Sequence, residues 1–229
     1  MGRNHRMKID IYSDIACPWC YLGKRRFERA LAAHPRGADF EVTYHPYQLV
    51  PDAPSTPSPH RAWLAERYGP QSRAMDDRVT AIGAAEGIVY DFDAALHVNT
   101  LHGHRLLWLA ATEYGLPVQH ALKERLLAAH FSDGVDVADF AALTELAVDA
   151  GLDRDRVTAF LPSGEGIAEV RAEIAHAQRL GITSVPTFVF DGAWAVQGAQ
   201  ETSTFLRALE QAVDGLDQTG TCTDETCTP

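Results

Sequence analysis

The chain lacks any apolar run of the ~18 residues that a membrane-spanning helix needs, although 46% of its 229 residues are hydrophobic. It also lacks a surplus of positive charge: Lys+Arg total 20 against 31 Asp+Glu, a net charge of −11. A chain this acidic repels phosphate backbones and anionic lipid, so nucleic acid and membranes are not expected partners. The best local exception is Lys24, Arg25, Arg26 and Arg29, and such a cluster reads first as a solvated helix face. An apolar leader is missing too. Arg3, His5, Arg6 and Lys8 are followed by Ile9, Ile11 and Ile15, interrupted by Asp10 and Asp14. No signal peptide is read there, and a cytoplasmic location is expected. Cysteine is scarce, with four residues in two local pairs, Cys17/Cys20 and Cys222/Cys227. In a reducing compartment such cysteines serve redox or metal chemistry more often than static bridging.

What is present reads as an α/β chain with a helical interruption. Ile9 and Ile11 alternate with Asp10 and Tyr12, which predicts a strand from about Lys8 to Ile15. The strand runs into Ala16-Cys17-Pro18-Trp19-Cys20, and Pro18 suits the first turn of a helix, where its missing N–H costs nothing. A second strand is expected from Phe40 to Tyr44. Four prolines at 51, 54, 57 and 59 then mark a departure from the first unit. From about 60 to 165 the chain reads as successive helices, with stripes such as Met75/Val79/Ile82, Val118/Leu122/Leu126 and Phe140/Leu143/Ala147, the last behind an N-cap candidate at Asp136. Glycines 69, 87, 115 and 151 punctuate these segments as C-caps would. A helix through Val170, Ile174 and Ala177 leads to a hairpin, Thr187–Asp191 and Trp194–Gln197, and a last helix from about Glu201 to Val213. The order β-α-β, helical block, α-β-β-α is a thioredoxin-like layout with an inserted all-helical domain. The expected division is 1–55 with 166–214 for the thioredoxin-like unit, 56–165 for the insertion, and 215–229 for a cysteine-bearing tail.

Cys17-Pro18-Trp19-Cys20 at a strand-to-helix junction makes a chemical statement. Only the thiolate attacks a disulfide, and a helix N-terminus offers free N–H donors and partial positive charge that lower a thiol pKa. A fall from about 8.5 to about 7 raises the thiolate fraction from a few per cent to roughly half. Cys17 is therefore expected at the first exposed position of the helix as nucleophile. Cys20, one turn on and facing inward, is expected to resolve the mixed disulfide. Pro18 and Trp19 shape the turn between them. The competing structural reading is half of a zinc site completed by Cys222 and Cys227, against which stands the unusual four-residue gap of the tail pair. A second signal is Ser184-Val185-Pro186-Thr187-Phe188. A proline opening a strand is an ordinary edge constraint. Opposite a Cys-Pro-Trp-Cys motif it is better read as a cis proline, with Val185 presenting its backbone to an extended substrate.

The run Asp10-Ile11-Tyr12-Ser13-Asp14-Ile15-Ala16-Cys17-Pro18-Trp19-Cys20-Tyr21-Leu22-Gly23-Lys24-Arg25-Arg26-Phe27 closely resembles the opening of FrnE-like members of the DsbA family. His45-Pro46-Tyr47-Gln48-Leu49, Asn99-Thr100-Leu101-His102-Gly103-His104-Arg105, Ser184-Val185-Pro186-Thr187-Phe188 and Val196-Gln197-Gly198-Ala199-Gln200 are similar to further segments of that family. The likeness covers about residues 8 to 210. It implies a thioredoxin fold with an inserted helical domain, disulfide oxidoreductase or isomerase activity on protein or peptide disulfides, a place in redox homeostasis or the oxidative-stress response, and no cofactor. Gly103 departs from the alanine expected there. Trp19 stands where strongly oxidising members carry histidine. Asn99, His104 and Arg105 are candidate groove residues, with polar groups satisfied at a domain seam as the plainer reading.

Two other function classes fit the same fold. Related 2-hydroxychromene-2-carboxylate isomerases and kappa-class glutathione transferases carry serine at the first-cysteine position and take their thiol from glutathione. Here both cysteines are present, which favours dithiol chemistry and leaves glutathione as a candidate partner. A chaperone-like or metal-binding protein would use the groove without needing Cys17. The tail pair is a candidate second redox couple. Its neighbours Thr221, Thr223, Asp224, Glu225 and Thr226 offer no core to join, and an exposed disulfide exchanges readily. A static tail disulfide is the alternative. Exchange predicts that deleting residues 216–229 slows reoxidation of Cys17–Cys20, and that a Cys17–Cys222 or Cys17–Cys227 crosslink can be trapped in Cys20→Ser. Unchanged rates with no crosslink would leave the tail static or idle.

Overall fold

The computed structural model describes residues 6–219; Cys222 and Cys227 lie outside them. β1 (Met7–Ser13) occupies an inner position in a four-stranded sheet of order β2-β1-β5-β6, with β2 at Phe40–Pro46, β5 at Thr187–Phe190 and β6 at Trp194–Gln197. β1 runs parallel to β2 and antiparallel to β5, which forms the expected hairpin with β6. The hairpin turn takes positive φ at Asp191 (47°) and Gly192 (68°), the conformation that glycine supplies without strain. Alternation along β1 holds from Met7 to Ile11 and then fails. Tyr12 and Ser13 are both buried, because the strand's far end is covered on both faces. Pro46 is the last residue of β2, where its missing N–H disturbs the ladder least.

α1 (Pro18–Ala33) and α9 (Thr202–Thr219) cover one face of the sheet. Phe27 of α1, Phe188 of β5 and Phe205 of α9 meet in edge and tilted contacts with centroids 4.6–5.5 Å apart, the preferred geometry for aromatic pairs. Between β2 and β5 the chain builds a helical insertion. It comprises α2 (His60–Tyr68), α3 (Ser72–Ala84), α4 (Leu101–Leu109), α5 (Leu116–Phe131), α6 (Phe140–Asp149) and α7 (Arg154–Phe160), followed by α8 (Ile167–Arg179). The proline-rich stretch ends in a two-residue strand, β3 (Ser58–Pro59), paired with β4 (Leu96–His97).

Several local details differ from the sequence reading. α6 is capped by Asp139, whose carboxylate accepts from the Ala142 N–H at 2.7 Å; Asp136 instead accepts from Ala138 N–H in the preceding turn. Met75 is exposed, so only Val79 of its stripe is fully buried. α9 continues through Gly215 to Thr219. The cationic cluster of α1 is not a solvated face. Lys24 and Arg26 are buried, and Glu28, Glu86, Glu124 and Glu201 pair with the cluster. Gly103 has a packing reason: a Cβ there would come within 2.5 Å of Ile15 Cδ1.

α8 is joined to the sheet by a charged contact. His45 of β2 stacks on Tyr12 and bonds Asp10 Oδ1 through Nε2 (2.9 Å) and Glu173 Oε2 through Nδ1 (3.1 Å). Burial opposes its charge, but the two carboxylates outweigh it and hold the imidazolium to a pKa of about 9. An unfolded histidine titrates near ~6.5. The contact therefore contributes fully below that pH and is lost as pH rises through about 9. Comparing chemical melts from pH 6 to 10, wild type is expected to lose its stability advantage over His45→Gln across this window. A constant difference would contradict the assignment.

Candidate active site at the strand-to-helix turn

Cys17 is the N-cap of α1, in extended conformation, with Pro18 at the first helical position as expected. The turn is closed by the Cys20 N–H donating to Cys17 O at 2.9 Å. Tyr90 OH donates to Pro18 O at 2.7 Å and fixes the first peptide of the helix from the side of the insertion. Across from the motif the Val185–Pro186 bond is cis, as expected. The Cys17 thiol points at Val185 O, 3.7 Å away. Gly23 lets this segment approach, since a Cβ there would stand 2.8 Å from Pro186 Cγ.

Both thiols are free and buried, Cys17 being 3% exposed and Cys20 2%. This corrects the expectation of an exposed, acidified nucleophile. The adjacent Cys20 thiol and burial push the Cys17 thiol well above its ordinary value, and the Asp14 carboxylate adds to the rise. The Cys20 backbone N–H works the other way. Negative charge on one sulfur disfavours it on the other, so the pair loses its protons in two separated steps.

Asp14, missed as a site residue from sequence, is the hub of the turn. Its buried carboxylate accepts from Ala16 N–H (3.3 Å), Thr100 OH (2.9 Å) and His104 Nε2–H (3.1 Å) on Oδ1, and from Leu49 N–H (2.8 Å) on Oδ2. Burial raises its pKa, but these donors prevail and hold it below the ordinary carboxylate value. Burial lowers the pKa of His104 against the opposing pull of Asp14, and an acceptor-only carboxylate makes Nε2–H the donor. A cavity of about 480 Å³ opens beside Cys17, walled by Trp19, Leu49, Trp63, Met75, Val79 and His130 among others. Its walls mix apolar side chains with polar ones, His60, Arg67, Asp76, His97 and Thr100 among them.

The three candidate groove residues are placed elsewhere. Asn99 holds Pro51 O and Ala53 O with its amide and lines a separate recess with Gln48 and Arg171. His104 lies beneath the turn on Asp14. Arg105 is fully buried and donates to the carbonyls of Phe160, Leu161, Ser163 and Glu165 at 2.8–3.1 Å, a cation closing the C-terminus of α7. Their polarity is structural, the plainer of the two readings. Among the described residues no group of three or more His, Cys, Asp or Glu side chains could hold a metal.

Comparison with known proteins agrees with this geometry. A family model described as a DSBA-like thioredoxin domain matches residues 8–210. A probable DsbA oxidoreductase from Streptomyces coelicolor is 40% identical, with 97% of this chain and 94% of that chain covered and a TM-score of 0.84. A 2-hydroxychromene-2-carboxylate isomerase (18% identity, 95% and 100% coverage, TM-score 0.65) shares the fold. So does the cytosolic disulfide reductase DsbM of Pseudomonas aeruginosa, solved with glutathione (18% identity, 93% and 98% coverage, TM-score 0.58).

Asp14→Asn removes a buried negative charge near Cys17 and places an amide N–H against one of four inward-pointing donors. The Cys17 thiol is expected to titrate at lower pH, followed by thiolate absorbance near ~240 nm. Stability should fall by about 1–3 kcal/mol, the cost of an unsatisfied buried donor. A thiol titration that stays put or moves up would remove Asp14 from the electrostatics of the site.

Proposed function

The chain belongs to the DsbA-like thioredoxin domain family, and on that premise we propose that it is a protein disulfide oxidoreductase and isomerase working through Cys17 and Cys20. The observation that carries the reading is the meeting of a helix-capping thiol with a loop carbonyl just before β5: Cys17 Sγ lies 3.7 Å from Val185 O, before a cis proline. An extended substrate can pair with the backbone at Val185 and so bring its disulfide in line with Cys17. Cys17 thiolate attacks one substrate sulfur, forming a mixed disulfide and expelling the other as thiolate. Cys20 then attacks Cys17 Sγ, closing the internal disulfide and releasing the second substrate thiol. In isomerisation the substrate's own thiol performs the release.

The finer parts of the reading rest on other support. Placement in the FrnE-like branch rests on the opening motif from Asp10 to Phe27, and with it a cytoplasmic role in redox homeostasis or oxidative stress. The domain division at 56–165 is supported by two cores drawn chiefly from the two parts, joined at a seam where Tyr21 and Leu22 of α1 pack with Val79, Ile88 and Phe131 of the insertion. Phe27, Phe188 and Phe205 belong to one; Leu106, Leu122, Leu143 and Phe160 belong to another. Glutathione is proposed as a reductant of the closed pair, since DsbM was solved with it. Catalysis by glutathione alone, as in the isomerase branch, is disfavoured by the second thiol at Cys20.

Cys17→Ser is expected to abolish insulin reduction, and Cys20→Ser to accumulate mixed disulfides detectable on non-reducing gels. Full activity in Cys17→Ser would instead support a binding protein that does not need the thiol.

A further inference from the structure

Closing the Cys17–Cys20 disulfide brings together two sulfurs linked through Pro18 and Trp19, so the conformation of that link governs how readily they meet. Two hydrogen bonds hold it. One is local: the Cys20 N–H donates to Cys17 O at 2.9 Å. The other comes from far along the chain: Tyr90 OH donates at 2.7 Å to Pro18 O, which belongs to the middle peptide between the two cysteines. Tyr90 is itself firmly placed. It is buried, in the segment that follows α3, and the next residue, Asp91, donates its N–H to Phe131 O at the end of α5 (2.7 Å). Its ring lies flat on Phe92 (centroids 5.3 Å apart) and meets Phe131 and Tyr21 edge to face (5.7 and 6.0 Å). Gly83 of α3 makes room for it, since a Cβ there would collide with the ring. The insertion thus touches the motif through one side chain at two points, with the hydroxyl on Pro18 and the ring edge beside Tyr21, the neighbour of Cys20.

We propose that Tyr90 is a positioning residue for disulfide closure: by holding the Pro18–Trp19 peptide it presets the turn from which Cys20 reaches Cys17, and so makes the Cys17–Cys20 disulfide easier to form. This rests on the dithiol reading above. In the step concerned, the Cys20 thiolate attacks Cys17 Sγ of the mixed disulfide. The Cys17–Cys20 bond forms, the Cys17–substrate S–S bond breaks, and the bonding pair leaves on the substrate sulfur as thiolate. Tyr90 gains and loses neither proton nor electron; it acts only through the peptide it holds.

The effect falls unequally on the two redox forms. In the disulfide the turn is constrained covalently, whatever Tyr90 does. In the dithiol and the mixed disulfide no such bond exists, and the hydroxyl limits the conformers that the turn can sample. Removing it returns freedom to the open forms, which closure must then overcome. One hydrogen bond of ordinary net strength is a factor of about three to ten in an equilibrium constant. Burial, followed by the nearby Cys17, Tyr21 and Cys20, pushes the Tyr90 phenol up against the opposing Leu22 N–H, so it remains a donor wherever the dithiol works.

The test compares the Cys17–Cys20 equilibrium of wild type and Tyr90→Phe, both as the full chain, in glutathione redox buffers, with dithiol and disulfide fractions read by alkylation and mass spectrometry. Phenylalanine keeps the ring contacts and removes only the hydroxyl. Tyr90→Phe is expected to close about three- to tenfold less favourably, a rise in potential of about 15 to 30 mV. Rapid mixing of reduced protein with excess 5,5′-dithiobis(2-nitrobenzoate) reads the kinetic side. The first equivalent of thiolate reports attack by Cys17 and the second reports resolution by Cys20, and the ratio of the second rate to the first should fall by a similar factor. A tyrosine that merely fills the seam would cost the dithiol and disulfide forms the same stability and leave the potential in place. An unchanged or lower potential in the variant, or an unchanged rate ratio, therefore overturns the proposal. Failure of the wild-type cysteines to close on one another would instead sink the dithiol reading. Should Tyr90→Phe misfold by circular dichroism, 3-fluorotyrosine at position 90, a stronger donor of nearly the same shape, decides: a potential below that of wild type supports the assignment, and an unchanged or raised one overturns it.

Discussion

The candidate site depends on one buried carboxylate. Asp14 sits at the end of β1, where the chain leaves the sheet to begin α1, and its oxygens gather donors from three directions: the turn itself, the exit from β2 and the start of α4. Each of those segments carries something the chemistry uses. The turn leads to Cys17, the β2 exit brings Leu49 into the cavity wall, and α4 leads into α5, which packs on β2 and α1. A buried charge is costly unless fully paired, so the four donors fix the relative placement of these segments.

The same charge sets the electrostatic character of the site. A helix N-terminus alone would acidify Cys17. The turn instead buries both sulfurs, places them against one another and adds a carboxylate nearby, with no compensating histidine at position 19. The facing sulfur, burial and the carboxylate all disfavour charge on Cys17. A reduced state that is not stabilised as thiolate makes the corresponding disulfide a weaker oxidant.

Much of the fold could be read from the chain because its signals are local. A strand alternation running into Cys-Pro-Trp-Cys, a proline opening β5 and a glycine turn before β6 each identify their own element. Burial was harder to read. Asp14 looked like part of a strand running to Ile15, yet β1 ends at Ser13 and Asp14 turns inward beyond it to meet four donors. On α5 the apolar stripe Val118/Leu122/Leu126 was visible, but Gln119, Lys123 and His130 are buried beside it. Polar residues at helical spacing next to such a stripe were the available signal for a functional seam. Arg105 and His104 misled for the opposite reason: polar residues in a family-like segment suggested a groove, whereas their partners are backbone carbonyls and Asp14, distant in sequence.

The most direct test of the account is the reduction potential of the Cys17–Cys20 couple, measured by equilibration in glutathione redox buffers and quantified by thiol alkylation and mass spectrometry. A reversible two-electron couple closing between Cys17 and Cys20 is expected, with a potential near that of thioredoxin, about −270 mV. A potential near about −120 mV, that of a strong oxidant with a stabilised thiolate, or failure of these two cysteines to close on one another, would contradict it.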